Sequence, residues 1–197
     1  MQSVGKRIFA FLNYPRTFPV YLCIMFSKQK HLIEADIARW NEIDQVNFGL
    51  FESLNWYLTY KKEFRNLIQH RFKHPSYSVA ALLHFAICRI LWKPLESLYI
   101  YTTDIGGGLY IQHGFATIIT AESIGKNVWI NQQVTIGYNG DKAPIIGDDV
   151  VIYAGAKVVG GVRVGNNVTI GANAVVTKDI PNNSVVGGVP AKILKMK

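Results

Sequence analysis

The sequence predicts a mostly β protein: a parallel β-helix of hexapeptide repeats with an N-terminal α-helical region. Three observations carry this. Aliphatic residues recur every six positions through the second half of the chain. The composition breaks sharply near residue 101. The first half spaces its apolar residues at three and four, the period of an amphipathic helix.

The break is large. Residues 1–100 hold 2 of the 17 glycines and 18 of the 24 aromatic residues. Their 13 basic and 7 acidic residues give +6, whereas the 8 basic and 6 acidic residues of 101–197 give +2. We therefore expect a helical region over 1–100, a β-helix over 101–181 and a capping tail over 182–197.

The helical half reads in order. Apolar spacing predicts helices over 32–40 and 48–60, where Phe51, Leu54 and Leu58 share a face. Residues 63–72 (EFRNLIQHRF) are helical in pattern. Lys61, Lys62, Arg65, Arg71 and Lys73 cluster there, as a solvated face or as a surface for an anionic partner. Pro75 and Pro94 bracket an apolar helix over 79–92. The apolar runs at 18–26 and 79–92 fall short of the ~20 residues a spanning helix needs, so both are expected as buried helices. His31, His70, His74 and His84 are expected as core or surface residues.

The β half repeats. Ile105, Ile111, Ile118, Ile124, Ile130, Ile136, Ile146, Ile152, Val158, Val164, Ile170 and Val176 mark the repeat. A strand alternates its faces every two residues, so a six-residue repeat points one aliphatic inward on each flat face. Turns rich in Gly, Asn and Asp follow, as in IGKN, IGDD and VGNN. Three faces close a triangular coil, and stacked coils bury a column of Ile and Val. The register breaks between Ile111 and Ile118, by one residue, and between Ile136 and Ile146, by four. Insertions leave a solenoid as loops, often on its binding face. Both breaks lie near His113, the only histidine of this half.

Composition narrows the function. Apolar residues at 49% and charged residues at 17% exclude a disordered chain. Two cysteines, Cys23 and Cys88, exclude a disulfide scaffold and a thiolate zinc site, and point to a reducing compartment. A net charge of +8 suits nucleic acid, anionic lipid or a phosphorylated cofactor. The basic N-terminus lacks a long apolar stretch and a cleavage site, so a cytoplasmic location, with peripheral contact at the inner face of the membrane, is expected.

The stretches IGGGLYIQHG (105–114), WINQQVTIG (129–137), 144–181 and GGVPAKI (187–193) resemble the hexapeptide-repeat acyltransferases. Within them the chain is similar to the serine acetyltransferase branch, in particular its relatives that O-acetylate sugars of surface polysaccharides. The resemblance implies a left-handed β-helix, a homotrimer with its sites between subunits, acetyl-CoA as co-substrate and no metal. It places the catalytic histidine at His113, as the base that takes a proton from the acceptor hydroxyl. Asp104 and Glu122 are the candidate acidic partners. Gly137, Ala154, Gly155 and Ala172 are candidates for the pantetheine groove, and Lys157, Lys178 and Lys192 for the nucleotide phosphates. Gln112, Trp129 and Tyr138 are candidates for acceptor contact.

The chain departs from the serine acetyltransferase pattern. The aspartate fifteen residues before the histidine is here Leu98, and the aspartate directly before it is Gln112. The Arg-His pair before Pro144 is Lys142 and Ala143. These departures favour a sugar hydroxyl as acceptor, with L-serine as the alternative. A zinc enzyme on such coils would need about three histidines at coil spacing. A nucleic-acid binder would show a groove-reading or stacking motif, and none is present.

Overall fold

A computed structural model describes residues 4–73 and 79–197, without the side chains of residues 80 and 81. His74 and Pro75 lie outside the described residues. The chain forms two compact units, Met1–Leu95 and Glu96–Lys197.

The first unit is helical. Its helices are α1 (Val4–Leu12), α2 (Tyr14–Met25), α3 (Lys30–Asp44), α4 (Leu50–Tyr60), α5 (Lys62–Lys73) and α6 (Val79–Leu91). Its core is aromatic. Trp40 meets Tyr57 and Phe64 edge-on, with centroids 5.4 and 5.0 Å apart. Such edge-to-face pairs are worth about 0.5–1.5 kcal/mol each beyond their burial.

Two expectations for this unit need correction. The five basic residues around α5 do not form one basic face. Arg71 is buried and binds Asp36 of α3 through Nε and a terminal nitrogen, at 2.9 and 3.0 Å. Arg65 donates to the Leu58 and Thr59 carbonyls and lies over the Trp92 ring. Lys61 pairs with Asp44 at 3.4 Å. Only Lys62 and Lys73 are exposed.

The apolar helices α2 and α6 are also not buried all round. Val20, Cys23 and Ile24 of α2 face the core, while Phe18 and Leu22 face out. Cys88 of α6 is buried, while Leu83 and Ile90 are exposed. A helix packed along one stripe buries only that stripe, however apolar its other side.

The second unit is the left-handed parallel β-solenoid. Its strands build three sheets. The first holds β1 (Leu98–Ile100), β4 (Thr117–Ile119), β7 (Thr135–Gly137), β10 (Lys157–Val159) and β13 (Val175–Val176). The second holds β2 (Asp104–Ile105), β5 (Ser123–Ile124), β8 (Ile145–Ile146) and β11 (Arg163–Val164). The third holds β3 (Tyr110–Ile111), β6 (Trp129–Ile130), β9 (Val151–Ile152), β12 (Thr169–Ile170), β14 (Ser184–Gly187) and β15 (Lys192–Met196). All neighbours pair in parallel except β14 and β15, which close the third sheet as an antiparallel hairpin.

The inward column is Ile and Val, as the repeat predicts. Ile130, Ile136, Ile152, Val158, Ile170 and Val176 are fully buried. One position differs. Ile119, not Ile118, pairs with Ile136 and is buried, and Ile118 is 40% exposed. The turn after Ile111 therefore holds two extra residues, and the next turn is one shorter. A one-residue slip exchanges the two faces of a strand, and consecutive isoleucines satisfy the spacing either way.

The corner between the second and third sheets explains IGKN, IGDD and VGNN. Asn127, Asp149, Asn167 and Asn183 are all left-handed there, a conformation Asn and Asp tolerate. Asn127 donates to Asp149 at 3.1 Å, and Asn167 to Asn183 at 2.8 Å. The neighbouring backbone is capped in the same way, with Asp148 N donating to Asn166 Oδ1 at 2.8 Å. A Cβ on Gly147 would collide with that Oδ1 and with the Gly165 backbone, so the stack requires glycine here.

Candidate active site

His113 stands in the turn joining β3 to β4, where the two extra residues lodge. It is exposed and left-handed, with φ 65°. Gly114 and Ala116 are left-handed too. A non-glycine residue held in this region costs about 1–3 kcal/mol, and such residues cluster at functional sites. The turn is locked by Phe115 N donating to the His113 carbonyl at 2.7 Å, and by Gln112 N donating to Ile130 O at 2.9 Å.

The same corner continues along the solenoid through the β6–β7, β9–β10 and β12–β13 turns. These turns carry Asn131, Gln132 and Gln133, then Tyr153, Ala154 and Gly155, then Gly171, Ala172 and Asn173. The structure thus aligns His113 and Gln112 with the expected groove residues Ala154, Gly155 and Ala172 along one edge. Gly155 is left-handed, and a Cβ there would strike Asn173 Oδ1. Lys157 also sits at this corner. Its ammonium donates to the Gln133 and Gly155 carbonyls, at 2.7 and 2.9 Å, and so braces two successive turns.

Most of the remaining candidates stand elsewhere. Asp104 opens β2 and pairs in register with Ser123, next to Glu122. Both belong to the corner between the first and second sheets, where Gly137 ends β7 and Tyr138 begins the four-residue insertion. Lys192 begins β15 opposite Gly187, at the His113 end of the third sheet, whereas Lys178 follows β13 at the corner of Asp104 and Glu122; both are exposed. A cleft of about 370 Å³ opens here, lined by Glu122, Tyr138, Asp141, Lys142, Ala143 and Arg163 among others. Within one chain, a full sheet separates this corner from His113. The turns of the His113 corner contain no acidic residue.

Trp129 lies on the outer face of the third sheet, edge-on to Tyr110 at 5.0 Å. Its Nε1 is buried without a hydrogen-bond partner, as are Asn131 Oδ1 and Gln132 Oε1 in the adjoining turn. Buried polar atoms are normally paired. Three unpaired ones beside the His113 corner mark polar positions that a ligand or water can satisfy. The sequence reading missed Asn131 and Gln132. The available signal was comparative: Gln132 occupies the turn position held by Ala154 and Ala172 in later coils.

Leu98, in the position of the missing aspartate, is buried in β1 opposite Thr117. Ala143 is also buried, on the wall of the cleft. Among the described residues, no three His, Cys, Asp or Glu side chains gather as a metal site would require.

The bacterial transferase hexapeptide (six repeats) family model matches residues 143–178. The serine acetyltransferase of Staphylococcus aureus strain Mu50 is 36% identical over 166 residues, covering 81% of this chain and 76% of that protein. The chain belongs to the hexapeptide-repeat acyltransferases, in the serine-acetyltransferase-like branch. It is an acetyl-CoA-dependent acyltransferase. Solved structures agree with this. The serine acetyltransferase of Neisseria gonorrhoeae in complex with serine has a TM-score of 0.64 at 25% identity, over 99% of this acyltransferase and 85% of that chain. A serine acetyltransferase complex with CoA has a TM-score of 0.60 at 26% identity, over 83% and 68% of the two chains.

Proposed function

We propose that this acyltransferase moves acetyl from acetyl-CoA to a hydroxyl, with His113 as general base. One observation supports the assignment above the others. His113 heads the corner of small residues from an exposed, left-handed turn built by an insertion.

The chemistry balances at this residue. A hydroxyl is a weak nucleophile at neutral pH. The imidazole takes its proton as the oxygen attacks the thioester carbonyl. The new C–O bond leaves an oxyanion, which backbone N–H groups can stabilise. Collapse breaks the C–S bond, and the imidazolium returns the proton to the CoA thiolate. Ala154, Gly155 and Ala172 let the pantetheine arm approach the backbone. Lys178 and Lys192 supply charge for the nucleotide phosphates, whereas Lys157 serves by holding the corner in shape.

The comparisons favour L-serine as acceptor. The relatives are serine acetyltransferases, and one of the solved structures holds serine. A second reading keeps a sugar hydroxyl. It rests on Leu98 and Ala143, two buried apolar residues where the serine enzymes are expected to carry an aspartate and a histidine. Trp129 and Tyr138 offer aromatic surface for a sugar ring, and Gln112 a polar contact. We place the enzyme in the cytoplasm as a homotrimer. Packing chains side by side would bring the His113 corner of one against another corner of its neighbour, so that Asp104 or Glu122 could orient the base from there.

Thiol release from acetyl-CoA, measured with L-serine beside a panel of sugars, tests both readings. Turnover with serine that His113→Ala abolishes would establish the first. Silence with serine and His113-dependent turnover on a sugar would establish the second. Turnover that survives His113→Ala would remove the base from the proposal.

A further inference from the structure

We propose that the outer faces of α1, α2 and α6 form a seat for an anionic lipid bilayer.

Each of these helices turns an apolar stripe outward. Ile8 and Phe11 of α1 are 59% and 63% exposed, and Phe18 and Leu22 of α2 are exposed beside them. Leu83 and Ile90 of α6 are 59% and 79% exposed. The three helices are neighbours, since α2 packs against both α1 and α6. Apolar exposure on this scale marks an interaction surface.

Charge identifies the occupant. Helices α1, α2 and α6 contain no Asp or Glu. The other three hold Glu34, Asp36, Glu42, Asp44, Glu52 and Glu63. Exposed Arg89 lies on α6, and exposed Lys28 and Lys93 lie just beyond α2 and α6; on α1, Lys6 lies over the Tyr60 ring of α4 and Arg7 lines a pocket with Asp44 of α3. A surface at once apolar and basic, on helices that carry no carboxylate of their own, suits the headgroup boundary of an anionic membrane, where helices lie in the plane with their apolar faces buried. Each basic residue near such a surface adds attraction. A second copy of the same face would set like charges against one another, which costs affinity. No described helix is long and apolar enough to cross a membrane, so the contact is peripheral.

The experiment uses the full chain and sedimentation with vesicles of phosphatidylcholine, with and without phosphatidylglycerol, at physiological salt. The chain should partition at least about tenfold more onto the anionic vesicles. Lys28→Glu with Arg89→Glu should cut that binding by about tenfold or more, and so should Leu83→Glu with Ile90→Glu. Thermal melting and solution mass should stay at wild-type values, because all four side chains are exposed. Equal partition onto both vesicles would overturn the proposal, as would none. Variants that bind vesicles like wild type but change the solution mass would also overturn it and assign the face to contacts between copies.

Discussion

Arg71 of α5 and Asp36 of α3 form a buried, two-point ion pair, with Nε and a terminal nitrogen 2.9 and 3.0 Å from the two carboxylate oxygens. The pair ties two helices of the first unit together where neither charge reaches water. Removing one partner leaves the other charge buried without its two-point ion pair. We therefore expect Arg71→Leu to lose about 3–5 kcal/mol in chemical denaturation, and Arg71→Leu with Asp36→Leu to lose clearly less. Equal losses would show that the carboxylate alone is tolerated.

The solenoid register makes a sharp contrast between adjacent residues. Ile119→Ala deletes a core side chain and should cost about 2–5 kcal/mol. Ile118→Ala, at a half-exposed position, should stay within roughly 0.5–1 kcal/mol of wild type. Denaturant midpoints decide it. The reverse order would restore the one-residue insertion that the repeat spacing predicts.

His113→Ala should lower kcat by about two to four orders of magnitude, the usual contribution of a positioned base. Its KM for acetyl-CoA should hold, since the imidazole acts on the acceptor hydroxyl. A thermal melt close to wild type would show that the loss is chemical. His113→Gly, which relieves the left-handed backbone, should melt higher while remaining as inactive.

Burial in α6 pushes the Cys88 thiol up to about 12, from an ordinary value of 9.0. Between these limits the unfolded chain has lost the proton and the folded chain has kept it. Stability should therefore fall as pH rises above about 9, by up to roughly 1.4 kcal/mol per pH unit. Cys88→Ala should flatten that alkaline slope in urea titrations. Below pH 9 the thiol is protonated in both states and contributes no slope.

The residues differ in how far sequence alone could reach them. His113 was legible because an insertion interrupts a strict repeat, and local spacing carries that signal. The core column was legible for the same reason, apart from Ile119, where two isoleucines fit the period equally. Arg71 was misread as part of a basic face because its partner lies 35 residues away and leaves no local trace. The exposed sides of α2 and α6 were misread because a helix apolar all round does not show which stripe it buries. Asn131 and Gln132 looked like ordinary turn residues until burial left their oxygens without partners.

By itself the sequence determined the six-residue period, the turn chemistry of Gly, Asn and Asp, the helical first half and the position of the exceptional histidine. These are local properties, set by backbone sterics and by the alternation of faces along a strand. The tertiary structure alone decided which isoleucine entered the core, which charges were buried in pairs, and which corner each candidate residue occupies. Those outcomes depend on contacts between residues a coil or a helix apart, where burial selects among arrangements that the local pattern allows equally.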